Sequence, residues 1–446
     1  MLNGTTRIAG LVFLCLLVAC NGKTGNPPAV APAHQGVMPA TPGGQPGARD
    51  YVREAAALSG AIDAAAQLLA RQPDNTQLAL ETVELYLERA RLVGNHDDYR
   101  QAGLLLDTAR KTPEGASMAC LAQTRLHTTL HQLAHAERVL AGCAGVVDPV
   151  EAAGLRADIA FFNGRYREAE TGYRALVNQV GDTNQYLRMA LLKSRMGSPG
   201  EAAALLEAAE KRHHGISAST RAWLKLQRGL LAWERGRLDE ALALYHLAAD
   251  ALPGWWRVDE QIAEVRRLQG DPAAAQALLE GVIARNGLPE HMDELARLLR
   301  EGRTPEAATA WIQRARGLYR ERLKAFPEAG LGHAVDHFLQ FGTPAEALDL
   351  ARRNARLRPF GEAQIALAAA LFRAGQAGEA AQLLGQVQDS GWDTAQLHAV
   401  AAQIHASLGR RAEADAQRTR ALAMNPYAMR LYLVQPPVQP EIVSML

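Results

Sequence analysis

Along most of the chain, apolar residues recur three and four positions apart, broken at short intervals by Gly, Pro or a few polar residues, which predicts helices joined by tight turns. The run 222–253, AWLKLQRGLLAWERGRLDEALALYHLAADALP, shows the unit in full. Gly229, Ala232, Gly236, Ala241, Tyr245, Ala248 and Pro253 mark its frame. The frame returns at Ala157, Gly164, Ala169, Tyr173 and Leu176, then at Ala190, Gly197, Ala202, Leu206 and Ala209. After the quoted unit it returns at Ala263, Gly270, Ala275, Leu279 and Val282. Later copies carry Val335, Gly342, Ala347, Ala351 and Pro359; Ala368, Gly375, Ala380 and Leu384; and Ala402, Gly409, Ala414, Ala421 and Pro426. Less regular units fill 76–113, 116–148 and 291–327, and a truncated one begins at Asp50. Connections such as Gly270-Asp271-Pro272 and Gly302-Arg303-Thr304-Pro305 put Pro in the first turn of a second helix.

Composition agrees. Of 446 residues 48% are hydrophobic and 21% charged, enough apolar material for an extended core. Leu and Ala, both strong helix formers, dominate. Aromatics at 5% are too few for a β-sandwich, a base-stacking platform or a carbohydrate groove. A net charge of +1 argues against a partner such as nucleic acid, which needs a strongly basic surface.

The repeated frame closely resembles the tetratricopeptide (TPR) signature, over about residues 50–427. The resemblance implies an all-α, right-handed α-solenoid (superhelix) of about ten helical hairpins. In such a hairpin Gly229 and Ala241 let two antiparallel helices approach, Gly236 makes the turn, Tyr245 and Ala248 face the partner helix, and Pro253 stops the second helix. The array is expected to divide into 50–290 and 291–427, with a change of curvature near the long helix from Pro305 to about Lys324. Residues 428–446 form a cap or a partner-binding tail. The same alignment sets Cys120 and Cys143 opposite each other across one hairpin, which implies a structural disulfide; two buried free thiols are the alternative. TPR arrays hold extended peptides or helices on their inner face, so a protein or peptide partner in the cell envelope is expected, with no cofactor and no chemical step.

The N-terminus adds an address. Residues 1–19 carry one charge, Arg7, and an apolar run from Ile8 to Ala19, too short to span a bilayer but suited to a signal peptide. Leu17-Val18-Ala19-Cys20 resembles the lipobox of bacterial lipoproteins, which implies lipidation at Cys20. Asn21 after it, rather than Asp, favours an outer-membrane anchor facing the periplasm. Residues 20–49 then form a Pro/Gly-rich tether, with six Pro and six Gly after Cys20.

Candidate chemistry is sparse. No phosphate-binding Gly-rich loop, G-x-S-x-G elbow or Cys-x-x-Cys occurs. His127, His131 and His135 are spaced as for a helical ladder, but the frame puts His131 at a hairpin turn. His333, Asp336 and His337 on one helix form the strongest polar anomaly: either a partner-contact or packing cluster, or, as the alternative function, the core of a metal-binding site or enzyme. Of Trp255 and Trp256, one is expected to fill an inter-helix position and the other to stay partly exposed as a partner anchor. The arginines of Arg352–Arg358 read as solvated surface and helix-end charge.

Overall fold

The computed structural model describes residues 49–143, 147–215, 217–302 and 304–434. The signal segment, Cys20, the tether as far as Ala48 and the last twelve residues lie outside them, while Arg49 begins the first helix. After a lone helix, α1 (Arg49–Arg71), ten antiparallel hairpins follow. The first five pair α2 (Thr76–Val93) with α3 (Asp97–Ala109), α4 (Pro113–Thr129) with α5 (Leu133–Ala141), α6 (Pro149–Phe162) with α7 (Tyr166–Gln179), α8 (Thr183–Arg195) with α9 (Pro199–Arg212), and α10 (Ala218–Glu234) with α11 (Leu238–Ala251). The second five pair α12 (Trp256–Leu268) with α13 (Pro272–Asn286), α14 (Pro289–Glu301) with α15 (Pro305–Ala325), α16 (Pro327–Phe341) with α17 (Pro344–Leu357), α18 (Gly361–Arg373) with α19 (Ala377–Asp389), and α20 (Ala395–Ser407) with α21 (Arg411–Met424). A short α22 (Ala428–Leu431) closes the stack. The fold is an all-α solenoid of TPR-like hairpins, and α15 is the long helix expected from Pro305.

The frame residues act as contact points. A Cβ added at Gly229 would stand 2.4 Å from Tyr245 Cε1, so only glycine admits the tyrosine there. Gly236 turns the chain at φ 69°. In the second hairpin the turn position is held by His131, the only non-glycine residue with positive φ among the described residues (φ 59°). His127 and His135 accordingly fall on α4 and α5, where their rings stack at 5.6 Å.

Burial separates inside from outside. Second helices such as α9 and α21 bury only a narrow stripe of Ala and Leu. First helices such as α12, α18 and α20 are buried around nearly their whole circumference, including Glu264, Arg267, Glu362 and His398. A first helix needs a second neighbour to be buried so completely, and that neighbour is the chain itself, one superhelical turn away.

Long-range contacts trace this seam. The turn after α2 meets the start of α12, where the indole N–H groups of Trp255 and Trp256 both donate to the Leu92 carbonyl, each at 3.2 Å. Tyr51 N–H at the head of α1 donates to Pro253 O at 3.2 Å. The turn after α6 meets the start of α18: Gly361 N–H donates to Tyr166 Oη at 2.7 Å, and Phe161, Phe162 and Tyr166 pack on Phe360 and Trp392. The turn after α8 reaches the next hairpin along, with Asp393 N–H donating to Arg195 O at 2.9 Å and Arg195 pairing with Glu362. Asn425, before α22, donates to the carbonyls of Trp233 and Glu234 at the end of α10. The segment through Val434 packs on α20, and Asn425 ties the last hairpin to the fifth.

The helix starts differ accordingly. The first helices of hairpins one to five begin at Asn75, Thr112, Asp148, Asp182 and Ser217, whose side chains each accept a hydrogen bond from a first-turn N–H. Those of hairpins six to nine begin at Trp255, Leu288, Phe326 and Phe360, none of which caps with its side chain. In those four, contact with the turn beneath takes the place of a polar cap.

The seam holds histidines in neutral form. Burial, with Arg322 adding to it, lowers His96 and His333 to about 4, and burial lowers His131 well below its usual value. His291, edge-on to the Trp256 ring, is lowered too by its burial. The unfolded chain takes up these protons below about pH 6.5, the folded chain only near pH 4 for His96 and His333, so seam stability is complete above 6.5 and falls between those values. His96 and His333 should each contribute about 2 kcal/mol to that loss, allowing for partial solvent contact. Urea midpoints measured from pH 7 to pH 4 should fall steeply, and less so in His333→Gln; a flat profile would contradict the burial of these rings.

Candidate functional site

A groove of about 420 Å³ runs across α2, α4 and α6, three successive first helices. Its apolar floor is Leu80, Met118, Leu121 and Val147, and Met118 remains 43% exposed. Four carboxylates, Glu81, Glu84, Asp148 and Glu151, ring it, and Arg125 crosses its centre. The Arg125 guanidinium pairs with Glu84 of α2, and its Nε lies 3.2 Å from Glu151 of α6, so one side chain of α4 fixes the spacing of all three helices. Asp148 caps α6 through the N–H groups of Val150 and Glu151.

A disulfide backs this groove. Cys120 and Cys143 are bonded with Cα atoms 5.9 Å apart, and pack with Ala136, Leu140, Ala152, Leu155 and Ile159. Cys120 precedes the floor residue Leu121, and Val147 packs on the same cluster. Replacing both cysteines by serine should cost about 2–4 kcal/mol by urea denaturation; an unchanged midpoint would show that the hairpin needs no cross-link.

His333, Asp336 and His337 do not converge. His337 is buried with Nδ1 2.8 Å from Asp293 Oδ1 of α14, in a cage formed by Tyr319, Phe338 and Phe341. His333 points instead toward Glu290, with Nδ1 3.6 Å from Oε1. Burial works against the Glu290 charge, but Arg322 and His333 hold its carboxyl well below the usual range. Among the described residues no group of three or more His, Cys, Asp or Glu could hold a metal ion. The pattern that suggested a site comes from two histidines one helical turn apart serving two different carboxylates.

Two further expectations are corrected. Neither tryptophan is exposed: Trp255 is 4% and Trp256 2% accessible, because both indoles are consumed by the seam. Arg358 is 1% exposed rather than solvated, with Nε donating to Asn354 Oδ1 at 2.8 Å, while Arg352, Arg353 and Arg356 do face solvent. The groove residues were missed because they fall in the least regular units. The available signal was Gln77, Glu81, Glu84 and Glu88, spaced along one face of α2.

No helix among the described residues is long and apolar enough to cross a membrane. No protein-family model matches the chain, and no curated protein matches its sequence. Solved structures resemble it loosely. The APC/C hetero-tetramer Cut9–Hcn1 is 14% identical, covering 86% of this chain and 84% of that one at a TM-score of 0.42. Yeast Tom70 is 13% identical, covering 83% and 88% at 0.41. A human IFIT1 dimer structure is 14% identical, covering 78% and 86% at 0.40. Likenesses this loose carry no argument about function, and the fold assignment stands on the ten hairpins themselves.

Proposed function

We propose that this chain is a protein-interaction scaffold that holds a segment of a partner in the groove across α2, α4 and α6, without a chemical step. The observation that supports it is the groove across these three successive first helices, with an exposed methionine on its floor. We further propose that the chain is lipidated at Cys20 and works from the periplasmic side of a bacterial outer membrane. That part rests on the lipobox-like Leu17–Cys20 and the tether that follows.

The scaffold reading is tested by affinity purification of the full-length lipidated protein from its native envelope, in wild-type and Met118→Asp forms. A stoichiometric partner that Met118→Asp depletes about tenfold, a loss of about 1.4 kcal/mol of binding, is expected. A partner retained equally by both would move the binding site away from the groove. The anchor is tested separately by palmitate labelling: label lost in Cys20→Ser, with release from the membrane fraction, is the expected result, and retained label would exclude it.

A further inference from the structure

The geometry points to a basic amphipathic segment, Lys or Arg interleaved with apolar side chains, as the occupant of this groove; the inference rests on the scaffold reading above and specifies its ligand class. Overall the chain is balanced at a net charge of +1, yet the groove sets four carboxylates against one guanidinium. That guanidinium is already committed. Arg125 is 14% exposed and bound to Glu84 and Glu151, while Glu84 remains 44% exposed to an incoming group. Glu81 is exposed and receives a side-chain amide N–H from Gln77 at 2.9 Å, a neutral donor that leaves its charge unbalanced. One turn beyond Glu84 on α2, partial desolvation and the negative charges of Glu54 and Glu84 raise the carboxyl of the exposed Glu88, with Arg91 offsetting them in part. A cation arriving over this face relieves that repulsion, whereas an anion adds to it.

The floor supplies the other half of the recognition. Leu80, Leu121 and Val147 are partly buried, and Met118 projects as a flexible, polarizable surface that adapts to an apolar side chain laid against it. The segments of this chain outside the described residues do not match. Residues 20–48 carry one basic residue, Lys23, and residues 435–446 carry none and one acid, Glu441. The charge complement therefore lies on another protein.

The test uses the full-length chain and three labelled peptides that share one helical apolar pattern, with the polar positions all Lys/Arg, all Gln or all Glu. Anisotropy titrations should show the basic peptide binding about tenfold or more tighter than the neutral one, with the acidic peptide weakest and high salt removing most of the difference. Glu81→Lys, at an exposed position that leaves the Arg125 pairs intact, should weaken the basic peptide several-fold with an unchanged melting temperature. Adding Glu84→Lys should weaken it further. Equal binding of the three peptides, a preference for the acidic one, or no binding by any of them overturns the inference. If charge preference is absent but Met118→Asp still abolishes binding, the basic class fails and the groove stands; binding indifferent to Met118→Asp removes both.

Discussion

Replacing Trp255 and Trp256 together with alanine should open the molecule along its seam. Each indole is almost wholly buried and donates to the same Leu92 carbonyl, across a sequence separation of more than 160 residues. Truncating one large aromatic in such a site costs about 3–5 kcal/mol, and because the rings share a partner the two losses should not add. Neighbouring hairpins still pack on one another, so the expected product is an expanded solenoid rather than an unfolded chain. Small-angle scattering should report a larger radius of gyration. Amide exchange should accelerate at Leu92–His96 and at the head of α1, which hangs on Pro253. Leu247→Ala, at an exposed position on α11, serves as the control and should change neither. A double variant with wild-type dimensions would mean that the seam holds nothing together.

Asp158→Ala should be the most damaging single change among the polar residues. Asp158 on α6 is fully buried and receives Arg188 Nε and Nη2 from α8 at 3.0 and 2.9 Å, with Tyr173 Oη donating at 2.9 Å. Gly154 makes room for the pair, since a Cβ there would stand 3.1 Å from the guanidinium carbon. Removing the carboxylate strands a buried cation, at a cost of about 3–5 kcal/mol. Converting both partners to apolar residues of similar size, Asp158→Leu with Arg188→Met, should recover most of that loss, because two desolvated charges give a folded protein little net stability. Urea denaturation of the singles and the double closes the cycle; a double variant no more stable than Asp158→Ala would show that the pair stabilises more than its desolvation costs.

Much of the fold was legible in the spacing of Gly, Ala and Pro. Each hairpin is a local object, and Gly229 admits Tyr245 a few turns away whatever lies elsewhere. The seam was not legible, because it joins residues far apart whose pattern makes sense only once the superhelix is wound. Its trace was nonetheless present in the helix starts. Asn75, Thr112, Asp148, Asp182 and Ser217 are ordinary polar caps, whereas Trp255, Leu288, Phe326 and Phe360 at the same place in later hairpins are not. An apolar residue where a cap is expected signals that something else covers the helix end. The groove was harder still. Glu81, Glu84 and Glu151 look like solvated surface along the chain, and only the meeting of three helices around Arg125 makes them one site. Of the two readings of the histidine cluster, packing across helices fits His337, which reaches Asp293 of α14, whereas the metal reading assumed a shared partner that neighbours on one helix face need not have.

The seam also governs how this array can change over evolutionary time. Solenoids usually gain or lose whole hairpins with little penalty, because each touches only its neighbours. Here, removing one hairpin between the third and the ninth would slide the upper turn along the lower by a full unit. Tyr166 would then miss Gly361, and the Trp255–Trp256 pair or the Phe360–Trp392 pair would lose the turn beneath it. Descendants of this chain should therefore vary in helix surface and in the tail, but keep the number of hairpins between Leu92 and Asn425 constant.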